Sequence, residues 1–215
     1  MKTNNQLRFG VILLLFLVLL FSTSTIQAQD RTHNGFYLSM QTGPAFGYIN
    51  GNSNQSSSYT VSGTGFAFDI QIGGAIKENL ILHGTIVFKS IFGPEFDDGV
   101  NKVTISKDYS FDELMMGIGT TRYLRNNFFI TANIGLGQFS LADDTNNTTI
   151  DTDYGFSYQL KIGKEWWISN RWGLGAAFEY GGTRTKDTMG DYQETWQSHR
   201  FGIKFTATLN NKKEL

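Results

Sequence analysis

Residues 154–182 read YGFSYQLKIGKEWWISNRWGLGAAFEYGG, and through most of them every second side chain is apolar. Phe156, Tyr158, Leu160 and Ile162 alternate with Ser157, Gln159, Lys161, Gly163 and Glu165. After a polar turn at Ser169, Asn170 and Arg171, the residues Trp172, Leu174, Ala176, Phe178 and Tyr180 alternate with Gly173, Gly175, Ala177, Glu179 and Gly181. A period of two on both sides of a short turn is a β-hairpin, because successive side chains of a strand point to opposite faces.

An ordinary half-exposed hairpin turns Lys, Glu, Thr and Asn toward water. Here the polar face is largely Gly and Ala with a few spaced charges, which implies a crowded space. Trp166, Trp167 and Trp172 gather at the turn, and Tyr154, Phe156 and Tyr180 gather at the far end, with aliphatic residues between. Phe128, at the start of the preceding strand, joins the turn-side group. Aromatic rings at two water interfaces around an apolar band are the layout of membrane-spanning strands.

The start of the chain reads as an export signal covering residues 1–28. Lys2 and Arg8 are basic, Val11 to Phe21 is apolar, and a small and polar segment allows cleavage after Ala28. The apolar run is shorter than the roughly 20 residues that a spanning helix needs. No other stretch has helical membrane length, so insertion is expected as a barrel formed by residues 29–215. Cysteine is absent, which excludes disulfides and thiolate metal sites. Removing Lys2 and Arg8 from 18 basic residues leaves 16 against 19 acidic ones, a balance that gives no reason to expect nucleic acid.

Eight amphipathic strands are expected, near Phe36–Phe46, Gly65–Ile76, Leu80–Phe88, Phe111–Tyr123, Phe128–Phe139, the two strands of the quoted hairpin, and Arg200–Leu209. In the fourth, Arg122 falls where an apolar residue is expected, and a bulge there would return Tyr123 to the outer face. Long polar connections at 48–64, 93–107, 142–153 and 182–195 alternate with short links at 77–79, 124–127 and 169–171. An all-β, eight-stranded antiparallel up-and-down transmembrane barrel has this signature, with long extracellular loops and short periplasmic turns.

These strands, the loop alternation, and segments such as GKEWWISNRWGLG and RFGIKFTATLN resemble the small eight-stranded outer-membrane barrels of the OmpA and OmpX type. The chain is similar to the outer-membrane β-barrel domain proteins common in Bacteroidetes-like bacteria. The resemblance implies a cell outer-membrane protein of a Gram-negative envelope, in contact with lipid and lipopolysaccharide, monomeric and without a cofactor. Many such barrels end on an aromatic residue, whereas this chain continues past Leu209 through Asn-Asn-Lys-Lys-Glu-Leu, which reads as a short periplasmic tail.

An eight-stranded barrel is just wide enough to be filled by its own side chains. The expected interior polar network is Asp69, His83, Lys89, Lys161, Glu165, Glu179, Arg200 and Lys204, with Glu179 paired directly to Arg200. The leading functional reading is a structural or adhesive barrel whose long loops contact a surface ligand or host protein. An enzyme acting on lipid A or phospholipid is the second reading. Its candidate groups are Ser198 beside His199 and His83 with Ser90, but neighbouring strand residues face opposite ways. A soluble lipocalin-like carrier is the third, and it would need the apolar face inside. Asp143, Asp144, Asp151 and Asp153 could hold a divalent cation, but their spacing lacks a calcium-loop pattern, so no metal is expected.

Overall fold

The computed structural model describes residues 32–54, 58–143, 145–189 and 191–211. The expected export signal and its cleavage site lie outside them, as does most of the C-terminal tail. Eleven strands follow in chain order: β1 Phe36–Ser53, β2 Tyr59–Lys77, β3 Leu80–Phe92, β4 Glu95–Asp97, β5 Lys102–Thr104, β6 Tyr109–Tyr123, β7 Phe128–Asp143, β8 Thr148–Asp151, β9 Gly155–Trp167, β10 Trp172–Met189 and β11 Tyr192–Asn211. A 3-10 turn, Arg125–Asn127, joins β6 to β7.

Eight of these strands close a ring in the order β1-β11-β10-β9-β7-β6-β3-β2, completed by β1 pairing with β2. Every pairing is antiparallel. Two of the three tight links work because asparagine tolerates left-handed backbone: Asn79, Asn126 and Asn127 have φ of 60°, 59° and 56°.

The faces sort as the hairpin's composition requires. Leu136, Ile162 and Phe178 point outward and are 58%, 56% and 67% exposed, whereas Asp69 and Lys204 are fully buried. This is the reverse of a soluble carrier, and it removes the lipocalin reading.

Two features differ from the sequence reading. The fourth barrel strand, β6, has no bulge: its register with β3 runs unbroken from Leu80↔Arg122 to Phe92↔Ser110. Tyr123 therefore turns inward, and Arg122 stays outside, donating to the Glu78 carbonyl at 3.2 Å. The long polar connections are also mostly strand. β1 runs on to Ser53 before β2 begins at Tyr59, and β10 runs on to Met189 before β11 begins at Tyr192. β11 has 20 residues. At about 3.3 Å per residue and a tilt near 40°, a strand of that length rises roughly 50 Å, about twice the apolar band of a membrane barrel.

Above the band the wall divides. β7 leaves β9 after Gly137↔Gly155 and pairs instead with β8. β2 leaves β3 after Gly65↔Ile91 and pairs with β4, which carries β5. One flap at the rim is thus β10-β11-β1-β2-β4-β5, and a smaller one is built on β6, β7 and β8.

Candidate functional site

The lumen is stacked in three tiers. At the short-turn end, residues 32–35 lead across the mouth and insert His33, which is fully buried. Its ring stacks on Tyr123 at 3.3 Å between centroids and lies 4.8 Å from Trp167. Nε2 sits 2.9 Å from Glu165 Oε1, and the Tyr123 hydroxyl donates to the other Glu165 oxygen at 3.1 Å. The backbone holds this plug in place: His33 N–H donates to the Asn79 side chain, and Asn79 N–H donates to the His33 carbonyl. Tyr37, Ile81, Phe129 and Ala177 complete the floor.

The middle tier is charged. Asp69 on β2 accepts from Lys204 at 2.8 Å, from Lys161 at 3.1 Å and from Gln159 at 2.9 Å. β9, which supplies Lys161 and Gln159, lies opposite β2 in the ring, so these contacts span the lumen. Lys161 also donates to Gln41 at 2.7 Å. Glu179 accepts from Gln159 at 2.8 Å and lies 3.4 Å from Lys204. Higher up, Arg200 on β11 pairs with Glu113 on β6, again across a diameter. Thr183 and Ser198 both donate to the same Glu113 oxygen. A buried charge is tolerated only with a partner and further hydrogen bonds, and these carboxylates are supplied with both.

The upper tier is apolar. Ile49, Val61, Tyr59, Phe96 and Trp196 from the larger flap meet Phe111, Phe139 and Leu141 from the smaller. Trp196 stacks on Phe111 at 5.5 Å and tilts against Phe139 at 6.2 Å. The two flaps thus pack like a small sandwich and close the lumen above the charges.

The eight residues expected inside, Asp69, His83, Lys89, Lys161, Glu165, Glu179, Arg200 and Lys204, are each 4% exposed or less. His83 hydrogen-bonds to Thr121 at 3.0 Å, and Lys89 makes no ion pair among the described residues. The expected Glu179–Arg200 pair is absent. Their register offers no direct facing, since Arg200 lies opposite Gly181 and Glu179 opposite Gly202. A side chain at Gly181 would begin 3.0 Å from the Arg200 guanidinium, so the glycine clears the route by which Arg200 leaves its own wall. Glu113 and His33 are participants that the sequence reading did not name. Parity with Leu114 places Glu113 inward, a signal present in the sequence, whereas His33 precedes every strand and carries no such signal.

Outside, Phe128, Trp166 and Trp172 ring the short-turn end, and Tyr154, Phe156 and Tyr180 lie toward the other. Lys164 lies 5.0 Å over Phe128 and 5.5 Å over Trp166. Trp167 departs from this group, because in the alternation of β9 it follows the outward Trp166 and so turns into the lumen against His33.

Ser198 and His199 sit on consecutive positions of β11 and diverge. Ser198 is bonded to Glu113 inside, whereas His199 Nδ1 meets the Tyr180 hydroxyl at 2.9 Å outside. His83 meets Thr121 rather than Ser90. Asp143 caps its own turn through Thr145 and Asn146, Asp151 accepts from Ser140, and Asp153 donates its N–H to Asp187. Among the described residues no three metal-ligating side chains converge; Asp144 lies outside them.

No curated protein matches the sequence. The fold is similar to that of Neisserial surface protein A, with a TM-score of 0.53 and 11% identity over 82% of this chain and 97% of that one. It is similar also to the outer membrane protein OprG of Pseudomonas aeruginosa, with a TM-score of 0.50 and 11% identity over 84% and 99%. Such low identity speaks for the architecture alone. The model of the outer membrane protein beta-barrel domain matches residues 14–210, and with apolar residues outside, a polar lumen inside and eight strands in a closed ring, the chain belongs to that family.

Proposed function

We propose that this outer-membrane barrel is a sealed scaffold that carries a recognition rim above the membrane. In this reading residues 1–28 direct export, the short turns face the periplasm, and the barrel works as a monomer. Phe128, Trp166, Trp172, Tyr154, Phe156 and Tyr180 sit at the two headgroup levels, where aromatic rings are favoured.

One observation carries the reading: the lumen is filled from His33 to Trp196, while the strands continue well past the apolar band as two packed flaps. A barrel closed by its own side chains offers no open aqueous path. Long, hydrogen-bonded extensions present a firm surface to a ligand or host protein. The split between Ser198 and His199 leaves that candidate pair of the hydrolase alternative out of contact.

Two measurements test this, the first on the purified, refolded barrel and the second on cells. Planar-bilayer recordings are expected to show no large, long-lived conductance, and a stable open channel would overturn the sealed lumen. Cells displaying the full chain are compared with cells displaying a version whose β4–β5 and β8 segments are replaced by short Gly-Ser links. Surface binding should be lost with the rim while heat-modifiable barrel migration is kept. Undiminished binding would refute the rim's role.

A further inference from the structure

On the outer wall, β9, β10, β11 and β1 form one registered surface whose rows change character sharply. Leu160, Tyr180, Phe201 and Phe46 share one row, since Tyr180 pairs with Leu160 and Phe201, and Phe201 with Phe46. These residues, with Phe178 and Ile203 below, line an apolar depression on the lipid-facing side. In the next row up, Tyr158 and Tyr48 flank His199. The Tyr158 hydroxyl donates to Tyr180 at 3.3 Å, Tyr180 meets His199 at 2.9 Å, and His199 stacks on Tyr48 at 5.1 Å. Above that lies Arg184, paired with Phe156 on one side and Gln197 on the other, and Lys186 follows two residues further along β10.

Arg184 and Lys186 are exposed and make no hydrogen bond or ion pair among the described residues. The nearby carboxylates turn to the other face: Asp187 accepts the Asp153 N–H, and Glu194 accepts the Tyr59 hydroxyl. Alternate residues of a strand stand about 6.5 Å apart on one face, so the two cations form a pair above the aromatic row. Among the described residues, the outward face of β9, β10, β11 and β1 carries no carboxylate to compete with a bound anion.

We propose that this surface is a binding site for one outer-leaflet lipid whose phosphate groups give it a net negative charge. Arg184 and Lys186 take the headgroup phosphates, the His199–Tyr180–Tyr158 chain offers hydrogen bonds beneath them, and acyl chains lie in the depression lined by Leu160, Phe178 and Phe201. Charge and apolar shape occur in register on the same four strands, which neither a free phosphate nor an uncharged lipid would use in full. The arrangement is independent of what the rim binds.

The test is native mass spectrometry of the full barrel released from detergent with lipid A, dioleoylphosphatidylcholine or inorganic phosphate added in turn. One lipid A per barrel should survive release, with phosphatidylcholine and inorganic phosphate not retained. The doubly substituted Arg184→Gln, Lys186→Gln barrel should lose at least roughly ten-fold in lipid A retention, as expected for charge-assisted hydrogen bonds. Lys77→Gln, at the opposite end, should retain it as before. Phe178→Ala, exposed and outside the packed lumen, should lower retention while leaving the phosphate contacts in place. Equal retention by the double variant, equal retention of phosphatidylcholine, or capture of inorganic phosphate alone would each overturn the site.

Discussion

In the middle of the lumen, Asp69, Lys161 and Lys204 are joined by charged hydrogen bonds, whereas at the rim Trp196, Phe111 and Phe139 are joined by ring contacts. Both arrangements shut the same barrel, but they respond differently to change. In the lumen each group depends on a particular partner, and a lone survivor is left as a buried charge. At the rim the attraction is spread over many weak contacts, so loss is graded and neighbours can shift to share it. The charged tier therefore specifies one arrangement, and the aromatic tier tolerates variation in the surface it supports.

Asp69→Ala gives the widest separation between the two regions. It leaves Lys161 without a carboxylate partner and Lys204 with Glu179 alone, and the expected loss is about 3 kcal/mol, read as a lower urea midpoint for barrels unfolding from lipid vesicles. A midpoint within error of the parent would mean that the lysines find other partners and that the specificity of the tier is overstated. Trp196→Ala should cost less, roughly 2 kcal/mol, because the side chain is only half-buried and the flaps can close in. Its effect should also stay local. Amide exchange should quicken at 59–62 and 139–141 and remain unchanged at 70–72 and 160–162; a uniform increase would make rim and lumen one cooperative unit.

His33→Ala sharpens the comparison from the other end. It removes both a stacked ring and a hydrogen bond to Glu165, for an expected loss of about 1–2 kcal/mol. The mutant should also admit water at the floor, seen as faster exchange near Tyr123 with the upper tier unchanged. Acidification gives the smallest effect. In the β4–β5 turn the N–H groups of Asn101 and Val100 hold the Asp98 carboxyl below the ordinary carboxylate range. Since its folded value lies under the unfolded one, the turn is supported above roughly pH 4 and loses that support as the pH falls through the folded value. Carboxyl-selective NMR titration measures this, and an Asp98 midpoint at the unperturbed value would show that the turn is not held by the carboxylate.

The membrane-embedded half was legible in the sequence because lipid imposes strict alternation. Phe156, Tyr158, Leu160 and Ile162 share one face by alternation alone, and the small residues opposite them and the aromatics at the strand ends turn that face outward. Above the band that pressure disappears. Asn50, Asn52, Thr60 and Ser62 face outward on paired strands but read as loop, since water accepts polar and small residues on either face. In the lumen, parity assigns Lys161 and Lys204 to the buried face but says nothing of partnership. Adjacency favoured Glu179 for Arg200, whereas a long side chain in a narrow ring reaches the opposite wall at Glu113. Trp167 shows a related limit. A run of aromatics near a turn looks like a membrane belt, yet consecutive residues of one strand cannot share it.

The cross-lumen braces also bear on assembly. Asp69 and Lys204 stand 135 residues apart, and Glu113 and Arg200 stand 87 apart. In a sheet open along the β1–β11 seam, Asp69 on β2 lies near one edge and Lys204 on β11 at the other, while Glu113 on β6 lies four strands away from Arg200 on β11, so neither brace is made. Only when the final strand docks beside the first do opposite walls come within reach. Closure of the β1–β11 seam is thus what brings the two cross-lumen pairs together.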